Sequence, residues 1–246
     1  MRKLLALILA ISLLGVFSLT TLRAAEEESK EVTKALWTFQ DFYKDPAMGW
    51  FRNNLHRVKG ILIMPLLVKA GFIGGFYAGN GVLLAQDQKG QWSYPAFYNM
   101  GAATFGFQAG AVGGQVMFMI MSDKGLSTFM SNKFQLGADA SIGVGPVGIG
   151  AKAELFDIYS FSRIKGLFAG ITLEGGGVTL NSEANRAYYG QASISPDDIL
   201  ILRKFENKQA DPLIAEVSKA ASAVPTTAAP ASTQASAQTA SPAPAP

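Results

Sequence analysis

Between Gly60 and Leu180 the chain divides into short apolar runs separated by glycine, and this pattern constrains the fold more than any other feature. Ile61-Leu62-Ile63-Met64, Phe72 to Tyr77, Val82 to Ala85 and Gln115 to Met121 are too short and too often interrupted for a helical bundle. Their β-branched and aromatic content fits strands, with glycine supplying turns, bulges and close strand approach. Ala78-Gly79-Asn80-Gly81 has the signature of a hairpin, because Asn-Gly readily takes the positive φ angles of a type I′ turn. Gly143 to Gly148 alternates glycine with small apolar residues, which fits a closely packed strand or tight crossing. The predicted fold is α+β, a mainly antiparallel bent sheet or barrel with N-terminal and C-terminal helices packed on it at one side or end.

The flanks carry helical signals. From Lys30 to Phe51, Val32, Leu36, Phe39 and Tyr43 recur at the spacing of one helix face. Asp45 is a predicted N-cap with Pro46 at the first helical position, so the chain turns there and continues helically towards His56. Ser122-Asp123 opens a helix through Met130, Ser182 caps one to Tyr189, Ser195-Pro196 begins one through Lys204, and Asp211-Pro212 one to about Ala220. Residues 1–24 resemble a secretory leader, with Arg2 and Lys3 before the apolar run Leu4 to Leu19 and small residues at Ala24-Ala25. The alternative is an uncleaved anchor. The predicted organisation is therefore a signal peptide (1–24), a helical segment (25–58), a β-rich core with closing helices (59–220) and a disordered tail (221–246) of Ala, Pro, Ser, Thr and Gln with one Val. The expected location is the periplasm or the exterior, peripherally on a membrane.

Composition removes several function classes. The net charge of +3 lies in the leader: without Arg2, Lys3 and Arg23 the 21 basic residues fall to 18, matching the 18 acidic ones. A neutral chain is a poor partner for nucleic acid, whose binding rests on many phosphate contacts. With no cysteine there is no thiolate metal site, catalytic thiol or lipoprotein anchor. The single histidine, His56, has no nucleophile beside it in sequence, and no Gly-x-Ser-x-Gly elbow occurs. Gly74 to Gly79 lacks the Gly-Lys-Ser/Thr of a phosphate loop and precedes a strand. No catalytic residue, metal or cofactor is expected. The remaining enzymatic alternative is a hydrolase in which Asp123, Asp139, Glu154, Asp157 and Glu174 converge.

Several stretches together resemble the SYLF domain family: Val58-Lys59-Gly60-Ile61-Leu62-Ile63-Met64-Pro65, Val68 to Phe72, Trp92 to Tyr98, Phe134 to Gly148, Tyr159 to Glu174 and Glu183 to Gly190. They follow the family's order over most of residues 30–206. Phe76 to Asn80 is bulkier than the family's glycine-rich segment, and the N-terminal helix is unusually aromatic. The resemblance implies a lipid-binding domain that in eukaryotic relatives recognises phosphoinositide membranes and takes part in actin-linked trafficking. For an exported chain the transferable part is affinity for anionic head groups or acyl chains.

On this basis Lys59, Lys69, Arg163, Lys165 and Arg186 are the candidate head-group contacts, and Trp37, Phe42, Trp50 and Phe51 the candidate membrane contacts. Each has a structural alternative: the cations as solvated strand ends or ion pairs, the aromatics as a cover for the β core. The expected partner is an anionic phospholipid or membrane surface, with an envelope protein as the alternative and no nucleic acid.

Overall fold

The structure is a computed structural model that describes residues 24–71, 74–105, 110–131, 133–148, 155–164, 167–168 and 176–223. The leader before residue 24, Lys165, and the chain after residue 223 lie outside the described residues.

Helix α1 (24–44) stops at Asp45, whose carboxylate accepts from Ala47 N at 2.9 Å and caps a 3-10 turn, Pro46–Met48. Arg52 of α2 (Gly49–Asn54) donates back to Tyr43 O at 3.0 Å, satisfying a carbonyl that the end of α1 leaves open. A second 3-10 turn, Leu55–Arg57, leads into the sheet and leaves His56 exposed.

The strands are β1 (Gly60–Gly71), β2 (Gly74–Ala85), β3 (Ala96–Phe105), β4 (Gly110–Ile120), β5 (Lys133–Gln135), β6 (Ile142–Val144), β7 (Ile158–Ile164), β8 (Leu167–Phe168) and β9 (Gly177–Leu180). They form one curled half-barrel in the order β5-β9-β3-β2-β1-β4-β7-β6, with β8 also on β7. Among the described pairings only β6 with β7 is parallel. The predicted α+β class with a mainly antiparallel bent sheet is what the structure has. Its helices, however, cover both faces of the sheet.

Alternate residues of β1, β2, β3, β4 and β7 enter two separate cores. On one face Ile61, Ile63, Val82, Leu84, Met117, Met119 and Phe161 meet α1, α2, α4 (Ser182–Tyr189) and α6 (Asp211–Ser222). On the other, Leu62, Met64, Leu83, Val116, Phe118 and Ile158 meet α3 (Asp123–Met130) and α5 (Pro196–Leu200). Burial on both faces explains why the strands show continuous apolar runs in place of polar–apolar alternation.

The predicted hairpin at Ala78–Gly81 is corrected: Asn80 and Gly81 lie inside β2, paired to Asn99 and Tyr98 of β3. Across β2, strand β1 bulges at Met64-Pro65, where the pairing shifts between Ile63 and Leu66. The bulge presses backbone against β2, so a Cβ on Gly79 would lie 2.5 Å from Leu66 O, and one on Gly81 would collide with Ile63 O. These glycines serve close approach and not a turn. Similarly, Gly143 lies under the Phe156 ring and Gly145 under that of Phe161, the tight crossing expected there.

Two helix ends differ from expectation. The cap of α4 is Asn181, which accepts from Ala184 N at 3.0 Å, one residue earlier than predicted. Helix α5 begins after Ser195 as expected, with a Ser195–Asp198 capping box, but ends at Leu200, four residues early. Arg203 takes φ +50° and pairs with Asp87 at 2.7 Å, which turns the chain back towards the sheet. No helix among the described residues is long and apolar enough to cross a membrane.

Candidate functional site

Helix α1 presses Val32, Ala35, Phe39 and Phe42 into the sheet. Its adjoining flank, with Lys34, Trp37, Thr38 and Asp41, forms one wall of an open groove of about 630 Å³. Pro65, Leu66 and Val68 of β1 and Ala78 of β2 form the apolar floor. An adjoining hollow of about 430 Å³ shares Asp41, Leu66 and Gln115 and adds Gly113, Gly114 and Arg163. The hollow stays open because Gly113 and Gly114 carry no side chain. A Cβ on Gly113 would lie 3.1 Å from Leu66 Cδ1, so any larger residue there would fill the hollow.

Large apolar side chains are exposed around this groove. Trp37 is 59% exposed, Leu66 55%, and Phe76, two positions beyond Ala78 on the same face of β2, 57%. Apolar surface gathered in one concave place signals a binding function, whereas single exposed residues do not.

The rim is polar and paired. Gln115 Nε2 donates to Asp41 Oδ2 at 3.2 Å and to Thr38 Oγ1 at 3.5 Å. Arg163 Nη1 lies 3.7 Å from Asp41 Oδ2, and Lys34 Nζ lies 3.7 Å from Glu31. Arg163 Nε is buried and has no hydrogen-bond partner among the described residues. One turn before the groove, burial pushes the Glu28 carboxyl up to about 7, with Glu31, Glu27 and Glu183 adding to the effect. No cluster of three or more His, Cys, Asp or Glu able to hold a metal occurs among the described residues. The chemistry on offer is apolar contact and charge pairing.

The predicted basic residues do not form one patch. Of the four that are described, only Arg163 lines the hollow that adjoins the groove. Lys59 pairs with Asp123 at 3.2 Å at the start of β1. Lys69 stands opposite Tyr77, which belongs to the core of the other face. Arg186 is exposed on α4, and Lys165 lies outside the described residues.

Among the aromatic candidates, Phe42 and Phe51 are fully buried, which corrects the expectation that they contact a membrane. Trp50 packs 4.8 Å from the Tyr159 ring as part of the same core. Trp37 alone of the four faces solvent, because it falls outside the 32-35-39-42 stripe that α1 buries.

The described acidic candidates hold structure. Asp157 accepts from Ser122 Oγ and from Ser141 N and Oγ, which ties the start of α3 to β7 and holds its carboxyl below the usual range. Asp139 accepts from Gln135 N at 2.7 Å in a turn. Glu154 and Glu174 lie outside the described residues.

Sequence reasoning passed over Asn185 and Gln115. Asn185 is fully buried: it accepts from Phe97 N at 3.0 Å and donates to Phe97 O at 3.0 Å and Asn181 O at 2.8 Å. Its side-chain amide thus pairs with β3 as a neighbouring strand would, and docks α4 on the sheet. The available signal was a carboxamide on the apolar side of a helix, beside Ala184 and Tyr188.

Comparison with known proteins places this architecture. The family model for Ysc84, described as a Las17-binding protein actin regulator, matches residues 101–220. Protein YSC84 of Saccharomyces cerevisiae is 32% identical over 204 residues, which cover 78% of this chain and 43% of that protein. LAS seventeen-binding protein 3 of the same yeast is 32% identical over 180 residues, 68% of this chain and 39% of the relative. SH3 domain-containing YSC84-like protein 1 of Xenopus laevis is 29% identical over 162 residues, 62% of this chain and 48% of the relative. The chain thus spans about half the length of these curated relatives, or less. One of these names is that of a binding protein, and none is that of an enzyme. The order of motifs from β1 to α4, the family-model match and these relatives agree: the chain belongs to the SYLF (Ysc84) domain family.

Proposed function

We propose that this protein is a non-catalytic lipid-binding protein, exported through its N-terminal leader, that takes anionic lipid into the groove between α1 and the glycine-rich half of the sheet. The observation that carries this reading is the gathering of exposed Trp37, Leu66 and Phe76 around an open apolar floor with Arg163 at its end. Apolar walls hold the hydrocarbon part of such a ligand, and a cation at the edge answers its charge.

Sedimentation with phosphatidylglycerol and with phosphatidylcholine vesicles tests the function. The protein is expected in the anionic pellet, and the Trp37→Ala/Leu66→Ser double variant largely in the supernatant. Equal absence of the wild-type protein from both pellets would refute lipid binding. Charge reversal at Arg163 and Lys165 together is expected to weaken the anionic pellet, and unchanged binding would remove both from the site. Fractionation of a native host tests export: the protein should be recovered outside the cytoplasm, shortened by the leader.

A second reading, a protein-binding adaptor, is favoured by the relatives' names, one of which is a LAS seventeen-binding protein. Pull-down from an envelope extract with and without residues 224–246 separates the two. Lipid binding by the domain should survive that deletion, whereas an adaptor working through its tail should lose its partner.

A further inference from the structure

We infer that the ligand of this groove is a single long-chain fatty acid, with its chain along Leu66, Val68 and Ala78 and its carboxylate on Arg163. The inference rests on the lipid-binding reading above and narrows it from a membrane surface to one bound molecule.

The first argument is space. At about 630 Å³ the groove falls in the range of roughly 300–1,000 Å³ usual for small-ligand sites, and it is a trough with one apolar floor. Ala78 leaves that floor low and Trp37 stands at its lip, while Gly113 keeps open the adjoining hollow that leads to Arg163.

The second argument is charge. Glu31 faces Lys34 and Asp41 faces Arg163, so the rim as a whole is neutral. A head group carrying several negative charges would meet Glu31 and Asp41 as well as the two cations. One negative charge is what this rim can accept, and Arg163 has the capacity for it. Its side chain is three-quarters covered, Nη1 is 3.7 Å from Asp41, too far for a hydrogen bond, and buried Nε–H has no acceptor among the described residues. A small rotation therefore breaks no hydrogen bond and turns the planar fork towards a carboxylate, which it matches with two parallel N–H···O bonds. The Gln115 amide, next to Arg163 across β4 and β7, donates to Asp41 and Thr38 and so holds the Asp41 carboxylate beside the fork.

The test is calorimetric titration of the full-length mature protein with oleate below its micelle concentration, and with oleyl alcohol as the uncharged analogue. One oleate per chain is expected, saturably. Arg163→Gln should weaken oleate at least tenfold and leave oleyl alcohol unchanged. Gly113→Leu should weaken both at least tenfold. Ala78→Leu, at an exposed position, should do the same and serves if Gly113→Leu does not fold, as judged by thermal unfolding. Non-saturating binding, or filled-groove variants that bind as the wild type does, would overturn the assignment, and so would equal weakening of both ligands by Arg163→Gln. Phosphatidylglycerol vesicle sedimentation runs in parallel. Vesicle binding without oleate binding refutes the fatty-acid inference alone, and loss of both refutes the lipid reading with it.

Discussion

Replacing Asn185 by alanine tests how α4 is held on the sheet. The amide makes three hydrogen bonds at 2.8–3.0 Å in a fully buried position. Two of the partner carbonyls keep other donors: Phe97 O still accepts from Asn181 N at 2.9 Å, and Asn181 O from Asn185 N at 3.0 Å. Phe97 N–H keeps nothing and is left unpaired. With about 1 kcal/mol for each bond, including the penalty of that orphan donor, the loss is about 3 kcal/mol. For a domain of this size that lowers Tm by roughly 6–12 °C. Asn185→Asp retains an acceptor for Phe97 N but turns an oxygen towards Phe97 O and Asn181 O, so it should be at least as harmful. Thermal unfolding followed by circular dichroism measures both. A Tm within 2 °C of wild type for Asn185→Ala, or an Asn185→Asp variant more stable than Asn185→Ala, would refute the strand-like pairing.

Three further outcomes follow from the same structure. Gly81→Ala forces a Cβ against Ile63 O and Met64, and should cost about 1–3 kcal/mol in urea unfolding. Glu28 holds its proton to about pH 7 when folded but only to its ordinary 4.5 when unfolded. Stability should therefore fall as pH rises from 4.5 to 7, and Glu28→Gln should remove roughly 1 kcal/mol of that fall, a figure already reduced for solvent screening. Asp157 behaves oppositely: its depressed carboxyl stabilises above the ordinary carboxylate range, and the contribution is lost as pH falls through it. Asp157→Asn should flatten the acid limb of the stability–pH curve.

What was legible in the sequence was local. Asp45-Pro46, Ser122 and Ser195 announce helix starts because a cap is made with the next three residues, and all three caps are present. Asn181 and Ser182 are both capping types, so the start of α4 slips by one. The early end of α5 is closed locally by Leu202 N on Asp197 O and Lys204 N on Asp198 O around Arg203 at positive φ, and Arg203 then reaches Asp87, more than a hundred residues away. The 32-36-39-43 face of α1 does pack on the core, but the buried stripe is wider and is centred on 32-35-39-42, and that extra width separates buried Phe42 from exposed Trp37. For the cations, the face each one occupies depends on strand register, which no single run of residues contains.

Pro65 shows how that register makes the groove. Before the bulge, Ile61 and Ile63 point to the α1 face and Leu62 and Met64 to the other. After it the parity is reversed: Leu66 and Val68 line the groove on the α1 side, while Leu67 joins the opposite core and Lys69 stands beside Tyr77. Proline has no N–H for the ladder, so a bulge is where a central strand can carry it. A β1 that kept Pro65 but ran straight through it without a bulge would send Lys69 into the groove and Val68 out of it, since a slip of one residue exchanges the faces. The same displacement forces glycine at 79 and 81, which removes the Asn80-Gly81 hairpin that the local sequence announces. An apolar floor with one cation at its end therefore follows from a single proline in β1 and from the glycines that let β2 approach it.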